Sequence, residues 1–224
     1  MAAAPPLIGL PAPPRRRVGV TLHKFQPGPG HGPVLSYLNA AMLPKGLDPH
    51  PLLACEMWDP KPWPKYLAWN VIEHPAYAVI WVDEEAQETE LVGERDHPAT
   101  SPRVEELYCC HPDSGWCVRV RNRGGVTLND VMHAIFEFFA SPLYVDELKE
   151  MHPRAVRIME QRYFEQRAML GGMAPGAGLF DGYRKADALL GKTFFAGLRW
   201  EPGVLESRFN LRQTNCLVLY LDNC

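Results

Sequence analysis

The sequence predicts an α+β fold, an antiparallel sheet of about five or six strands with two main helices packed on one face. Three observations lead there. Val126–Phe139 carries a helical apolar stripe; Val104–Cys110 and Trp116–Asn122 read as a hairpin; and Tyr77–Val82, Thr193–Trp200, Arg208–Arg212 and Cys216–Leu221 have the length and composition of further strands.

Bulk properties narrow the class. A chain of 224 residues with 46% hydrophobic and 22% charged content suits one ordinary globular domain that needs no staples. A net charge of −3 and a pI near 6.2 lack the basic excess of a non-specific nucleic-acid binder, so no nucleic-acid partner is expected. No run approaches the roughly 18 apolar residues of a membrane span. Leu7–Leu10 is short and hemmed in by prolines, and Arg15, Arg16 and Arg17 follow it, which is the wrong order for a signal peptide. The expectation is a cytoplasmic protein without a membrane partner, its six cysteines reduced.

Residues 1–33 read as a flexible tail and residues 34–224 as the single α+β domain. The tail holds eight of the 22 prolines together with Gly28, Gly30 and Gly32, too little apolar surface for a core. Val18–Leu22 is its one strand-like run. Val34–Met42 reads as a short helix with Val34, Leu35, Leu38 and Met42 inward, stopped by Pro44 and Gly46. Prolines at 60, 62 and 64 then exclude a helix and favour extended backbone. Seven acidic residues between Asp83 and Asp96, against the single base Arg95, read as a solvated loop.

The hairpin follows, its turn placed at His111–Gly115. In the second strand Trp116, Val118 and Val120 share one face; Cys117, Arg119 and Arg121 share the other, with Glu105 as the expected partner of the arginines. Thr127 as N-cap and Asp130 three residues on resemble a capping box for the helix behind them. Its inward stripe is Leu128, Val131, Met132, Ile135 and Phe139. Ser141-Pro142 starts a short helical piece containing Leu148 and Met151. Pro153–Leu170 is a further helix with Val156, Met159, Tyr163 and Leu170 on one stripe, and Arg167 among them, which calls for a carboxylate such as Asp187.

Three landmarks then give a resemblance. The first is His50-Pro51-Leu52-Leu53 followed by Trp58-Asp59 and prolines. The second runs from Pro98-Ala99-Thr100 and Pro102 through the hairpin to Val126-Thr127-Leu128-Asn129-Asp130-Val131. The third is Arg184-Lys185-Ala186-Asp187-Ala188-Leu189-Leu190-Gly191 with Phe195-Ala196-Gly197-Leu198. In this order they resemble a family of unknown function found in mushroom-forming fungi, over about residues 47–213. The resemblance implies a fungal origin and one small α+β domain, and it implies no activity.

Candidate site residues are few. Trp58, Trp63, Trp69 and Trp81 place four of the six tryptophans within 24 residues, with Tyr66 and Tyr77 among them. Rigid aromatic side chains set out by prolines can form a groove for a polyproline segment or a flat ligand, or else a lid whose indole N–H groups find carbonyls. Trp58, Trp63, Tyr66 and Trp69 are therefore the binding candidates. In the tail, Pro11, Pro14 and Arg16 fit the P-x-x-P-x-Arg form that SH3-type grooves take. Asp59, Asp187 and His50 are the weak catalytic candidates, two carboxylates and a base that could converge; the alternative roles are an Asx-type turn for Asp59 and a buried pairing for Asp187 with Arg167 or Arg162. Cys109 and Cys117 are the redox candidates, paired if Cys110 opposes Trp116. Cys109, Cys110, His111 and Cys117 have the wrong spacing for a zinc knuckle, so neither a metal nor a cofactor is expected.

The reading that follows is a binding or interaction module that meets a protein partner, a second copy of itself or its own tail through the segment 58–69. A small-metabolite enzyme built on Asp59, Asp187 and His50, with a small-molecule ligand, and a structural subunit of a larger assembly are the alternatives. The balance leans away from an enzyme, because no nucleophile elbow, phosphate loop or dinucleotide fingerprint is present.

Overall fold

The computed structural model describes Phe25 and residues 32–54, 65–82, 87–169 and 182–223. Val18–Leu22, the segment 55–64 and the loop after residue 169 lie outside the described residues. The elements run α1 (Tyr37–Ala41), β1 (Asp48–Pro49), β2 (Lys65–Ala68), β3 (Val79–Val82), β4 (Gln87–Glu90), β5 (Thr100–Ser101), β6 (Glu106–His111), β7 (Trp116–Arg121), α2 (Leu128–Ala140), α3 (Val145–Glu150), α4 (Pro153–Met169), β8 (Phe194–Arg199), α5 (Pro202–Phe209) and β9 (Cys216–Asp222).

The fold is α+β, but its strands divide differently from the single antiparallel sheet expected. Among the described residues the main sheet has four strands in the order β7-β6-β9-β8, and separate sheets of three (β2-β3-β4) and two (β1-β5) accompany it. It is also mixed, since β9 pairs parallel with β6 and antiparallel with β8. The reason lies in Cys216-Leu217-Val218-Leu219-Tyr220-Leu221, which is apolar on both faces and suits a slot with a strand on each side and cover above and below. The three-stranded sheet is stitched to the free edge of β8: Phe195 N–H donates to the Trp69 carbonyl at 2.9 Å and Val71 N–H to the Thr193 carbonyl at 2.8 Å. A bulge between Phe195 and Gly197 bends β8, and Gly197 (φ 121°) supplies a conformation that side chains resist.

The alternation of each strand sorts its residues between two cores. Leu107, Cys109, Val118, Val120, Leu217 and Leu219 face α2, whose Leu128, Val131, Met132, Ile135 and Phe139 are all buried, as the apolar stripe predicted. Burying those five side chains is worth on the order of 10 kcal/mol before entropy is charged against it. The opposite face presents Cys110, Cys216 and Val218 to Leu205 of α5. The expected pair of helices on one face is thus corrected: α2 covers one face and α5 the other. Meanwhile α4 leans on the turn Asp187–Leu189, with Met159 buried and Phe164 exposed among its described side chains.

Two further corrections have local causes. Arg208–Arg212 is not a strand, because Pro202 starts a helix at 202 and Asn210, in the left-handed conformation, ends it at Phe209. The first helix is shorter than Val34–Met42. Leu35 is held in an extended bridge to Val104 by Leu35 N–H to the Arg103 carbonyl and Glu105 N–H to the Leu35 carbonyl. This delays the helix and rotates its phase, so Ala40 is buried while Leu38 and Met42 point outward.

Candidate functional site

Four places hold the side chains that chemistry or binding would use. The first is the small sheet. Trp58, Asp59 and Trp63 lie outside the described residues, as do Pro11, Pro14 and Arg16 of the tail. Tyr66 and Trp81 are direct cross-strand partners on β2 and β3, half-exposed, with ring centroids 6.5 Å apart. Their neighbours Leu67 and Ile80 alternate with them and are buried in the core, against whose margin Tyr66 also packs in part. Trp69, one residue past β2, is 2% exposed; its indole N–H donates to the Glu73 carbonyl at 3.0 Å and its ring meets Phe195. Trp69 is a core residue in this arrangement.

The second place is a shallow groove between α4 and the turn Asp187–Leu189, lined by Ile72, Met159, Arg162, Tyr163, Asp187 and Gly191. Asp187 uses its carboxylate locally, accepting the Arg184 N–H at 2.7 Å and closing its own turn. Arg162 donates to the Leu190 carbonyl, and the Arg167 side chain lies outside the described residues. Just upstream, Lys185 lies among the half-buried rings of Trp116 and Phe138 and the exposed ring of Tyr144, its ammonium 4.4 Å from the Phe138 centroid and 3.2 Å from a Glu147 oxygen. The Arg184-Lys185-Ala186-Asp187 stretch thereby fastens the end of α2, with Lys185 N–H on the Ser141 carbonyl and Ala186 N–H on that of Phe139.

The third place is the sheet face under α5. Here the turn takes four residues, Pro112–Gly115, one fewer than expected, so His111 opposes Trp116 and Cys117 opposes Cys110. The redox pair is accordingly Cys110 and Cys117, with sulfurs 2.7 Å apart, and not Cys109 and Cys117; Cys109 points into the other core beside Val118. Burial pushes the Cys109 thiol well above its usual range, while the hydrogen bond shared with Cys110 pulls Cys117 down. Farther along the same face Glu106, not Glu105, meets the arginines. It is 5% exposed and accepts two bonds from Arg119 at 2.9 Å and one from the Tyr108 hydroxyl at 2.5 Å, with Arg121 at 3.8 Å. The Arg119 hydrogen bonds hold its carboxyl below the usual carboxylate range.

The fourth place surrounds His50, which is fully buried. Its backbone N–H donates to the Ala99 carbonyl at 2.7 Å, and the edge of Phe25 packs on its ring. Burial, then the neighbouring His97, lowers its pKa to about 3, which keeps the ring neutral. Facing it are Glu94 and His97, from the end of the acidic run that was expected to be a solvated loop. Leu91 of that run is buried, and the turn behind it carries the carbonyls of Arg95 and His97 that accept the first N–H groups of α2, from Asn129 and Leu128. His97 Nδ1 and Glu94 Oε2 are 2.7 Å apart, yet neither makes an aligned hydrogen bond, and His50 Nε2 has no partner either.

Of the three catalytic candidates the structure brings no pair together among the described residues. His50 has Phe25, Leu52 and His97 around it, and Asp187 has Arg184 and the α4 groove. Glu94, His97 and Glu106 escaped the sequence reading. The Glu-x-x-His spacing of the first two was visible within the acidic run, but nothing in the sequence says that it returns to His50.

Comparison with known families adds one finding. A family model matches residues 67–208, from β2 through most of α5. The chain belongs to a family of unknown function (DUF6699). The hairpin, α2, the Arg184–Gly191 stretch and β8 all fall inside the family match, whereas His50-Pro51-Leu52-Leu53 and Trp58-Asp59 precede it. The chain matches no curated protein and no solved structure. Among the described residues no helix is long and apolar enough to cross a membrane.

Proposed function

We propose that this member of the family is a protein-binding module of the fungal cytoplasm whose contact surface is the outer face of β2 and β3 together with the Trp/Pro segment leading into it. The observation that carries this reading is the half-exposed pair of Tyr66 and Trp81, tilted against each other across the strands, with Tyr66 separated from the segment 55–64 by Lys65 alone. Paired aromatic rings on a rigid sheet offer large contact area at small entropic cost, and prolines beside them favour an extended ligand. The occupant this surface suits is an extended proline-rich segment of a protein partner, of a second copy or of the chain's own tail; neither a nucleic acid nor a membrane is expected as a partner. Other exposed apolar side chains form small groups, Leu38 with Met42 and Tyr144 with Val145, and these are the places where a role as a subunit of a larger assembly would show.

A test uses the full chain and a Tyr66→Ser/Trp81→Ser variant, each titrated with a peptide of residues 5–17 and used for affinity capture from the native host with mass spectrometry. The reading expects saturable peptide binding or specific protein partners for the parent, lost in the variant while the melting temperature changes little. The same capture profile and the same titration from both proteins would overturn it.

A further inference from the structure

We propose that His50, Glu94 and His97 form a binding site for one divalent transition-metal ion of the zinc type, with the fourth coordination position open to water. A ring nitrogen from each histidine and one carboxylate oxygen lie within 4.8 Å of one another. Bonds of about 2.0–2.2 Å in tetrahedral geometry require ligand atoms roughly 3.3 Å apart, so small side-chain adjustments suffice. The buried atoms without an aligned hydrogen bond at this place are His50 Nε2, Glu94 Oε2 and His97 Nδ1, one from each residue. Buried polar atoms are normally satisfied; here Glu94 Oε2 and His97 Nδ1 have only each other, 2.7 Å apart, and His50 Nε2 has no partner, so one shared cation would serve all three.

The donor set chooses the class. Two imidazoles and one carboxylate suit zinc and its first-row neighbours, whereas magnesium and calcium take oxygen ligands. The frame is rigid: His50 is pinned by its N–H to Ala99 and by its carbonyl, which accepts the N–H groups of Leu53 and Ala54 at 2.8 Å. His97 N–H closes the turn onto the Glu94 carbonyl at 3.0 Å, and the same turn caps α2. His50 is sealed inside, but the side chains of His97 and Glu94 are 20% and 27% exposed, leaving a way in from that side. One bond must yield. Leu52 N–H donates to His50 Nδ1 at 3.2 Å, placing the ring proton on Nε2; ligation through Nε2 shifts that proton to Nδ1 and gives up this long contact.

The bound ion clips the segment around His50 to the turn that starts the central helix. This clip lies outside the aromatic surface and stands or falls separately from it. The test uses the untagged full chain, stripped with a chelator and titrated with zinc by calorimetry, beside Glu94→Gln and His97→Asn variants, which alter the exposed side of the site. The parent is expected to take up one equivalent and to melt at a higher temperature with zinc than with chelator. Each variant should bind more than about 100-fold more weakly, since even partners behind the ligands change metal affinity by 10- to 100-fold. X-ray absorption of the zinc-loaded parent is expected to show two imidazoles per ion, a readout independent of whether the variants fold. Uptake that is unchanged in folded variants, or a zinc shell with fewer than two imidazoles, would overturn the site.

Discussion

Glu106 shows how much one side chain can depend on its neighbours. A carboxylate 5% exposed on a sheet face is tolerable because Arg119 forks onto both oxygens and Tyr108 supplies a third donor. Arg119 itself is over half exposed, so solvent screens the pair, and Arg119→Ala should lower stability modestly in urea denaturation, chiefly by stranding the carboxylate. The linkage has a definite sign. The folded carboxyl sits below its ordinary value, so its contribution is complete above the unfolded value of about 4.3 and disappears as pH falls through the lowered folded value. In the parent, stability therefore declines across that acidic window; in Arg119→Ala the Glu106 share of this decline should shrink, and an identical acid profile would count against the clamp. His111 acts at higher pH. Burial lowers its pKa to about 4 from an ordinary 6.5, so its neutral ring contributes fully above 6.5 and progressively less as pH falls toward 4. Removing the imidazole with His111→Asn should flatten the dependence of the melting temperature on pH in that interval.

Among the elements, α2 was the most legible. Its apolar spacing, its cap and its length could all be read locally, and the structure shows Thr127 Oγ1 accepting the Asp130 N–H while Asp130 Oδ2 accepts from Thr127 N–H, Thr127 Oγ1 and Asn122 Nδ2. Thr127→Ala should cost about 1 kcal/mol, measurable as a shift of the thermal midpoint; a shift within error would mean that the cap is redundant. The hairpin was legible as a hairpin but not in register, because register depends on how many residues the turn consumes, and one residue moved Cys117 from Cys109 to Cys110. That displacement has a chemical outcome. Treatment with hydrogen peroxide should join Cys110 and Cys117, the two thiol hydrogens leaving with the peroxide oxygens as water, and peptide mapping should find this link and none to Cys109. What stayed illegible were meetings between distant segments. Nothing local distinguishes the turn holding Glu94 and His97 from any acidic loop, and the strand expected over Arg208–Arg212 overlaps the end of α5, although Pro202 and Asn210 mark both ends of that helix.

At the scale of the molecule, the family match from residue 67 to residue 208 covers the hairpin, the central helix and the stitching of the small sheet to β8, but the fold draws on residues at both sides of it. Gly46, before the match, lies against Trp200 so closely that a Cβ would fall 1.9 Å from the indole. Gly46→Ala should therefore displace Trp200 and lower stability by about 1–3 kcal/mol, with a change in tryptophan emission as its signature; an unchanged spectrum would show that the ring does not rest there. Strand β9, beyond the match, occupies the centre of the main sheet. Its pairing of Cys216 with Tyr108 joins positions far apart in the chain, and both β6 and β8 lack a partner on one edge until it arrives. Seen in time instead of space, this is an order of events: the hairpin and α2 can form early from neighbouring residues, but the sheet closes only when β9 has left the ribosome. Until then a growing chain carries two open strand edges, and the period of greatest vulnerability to aggregation, and greatest need for a chaperone, lasts until β9 has emerged.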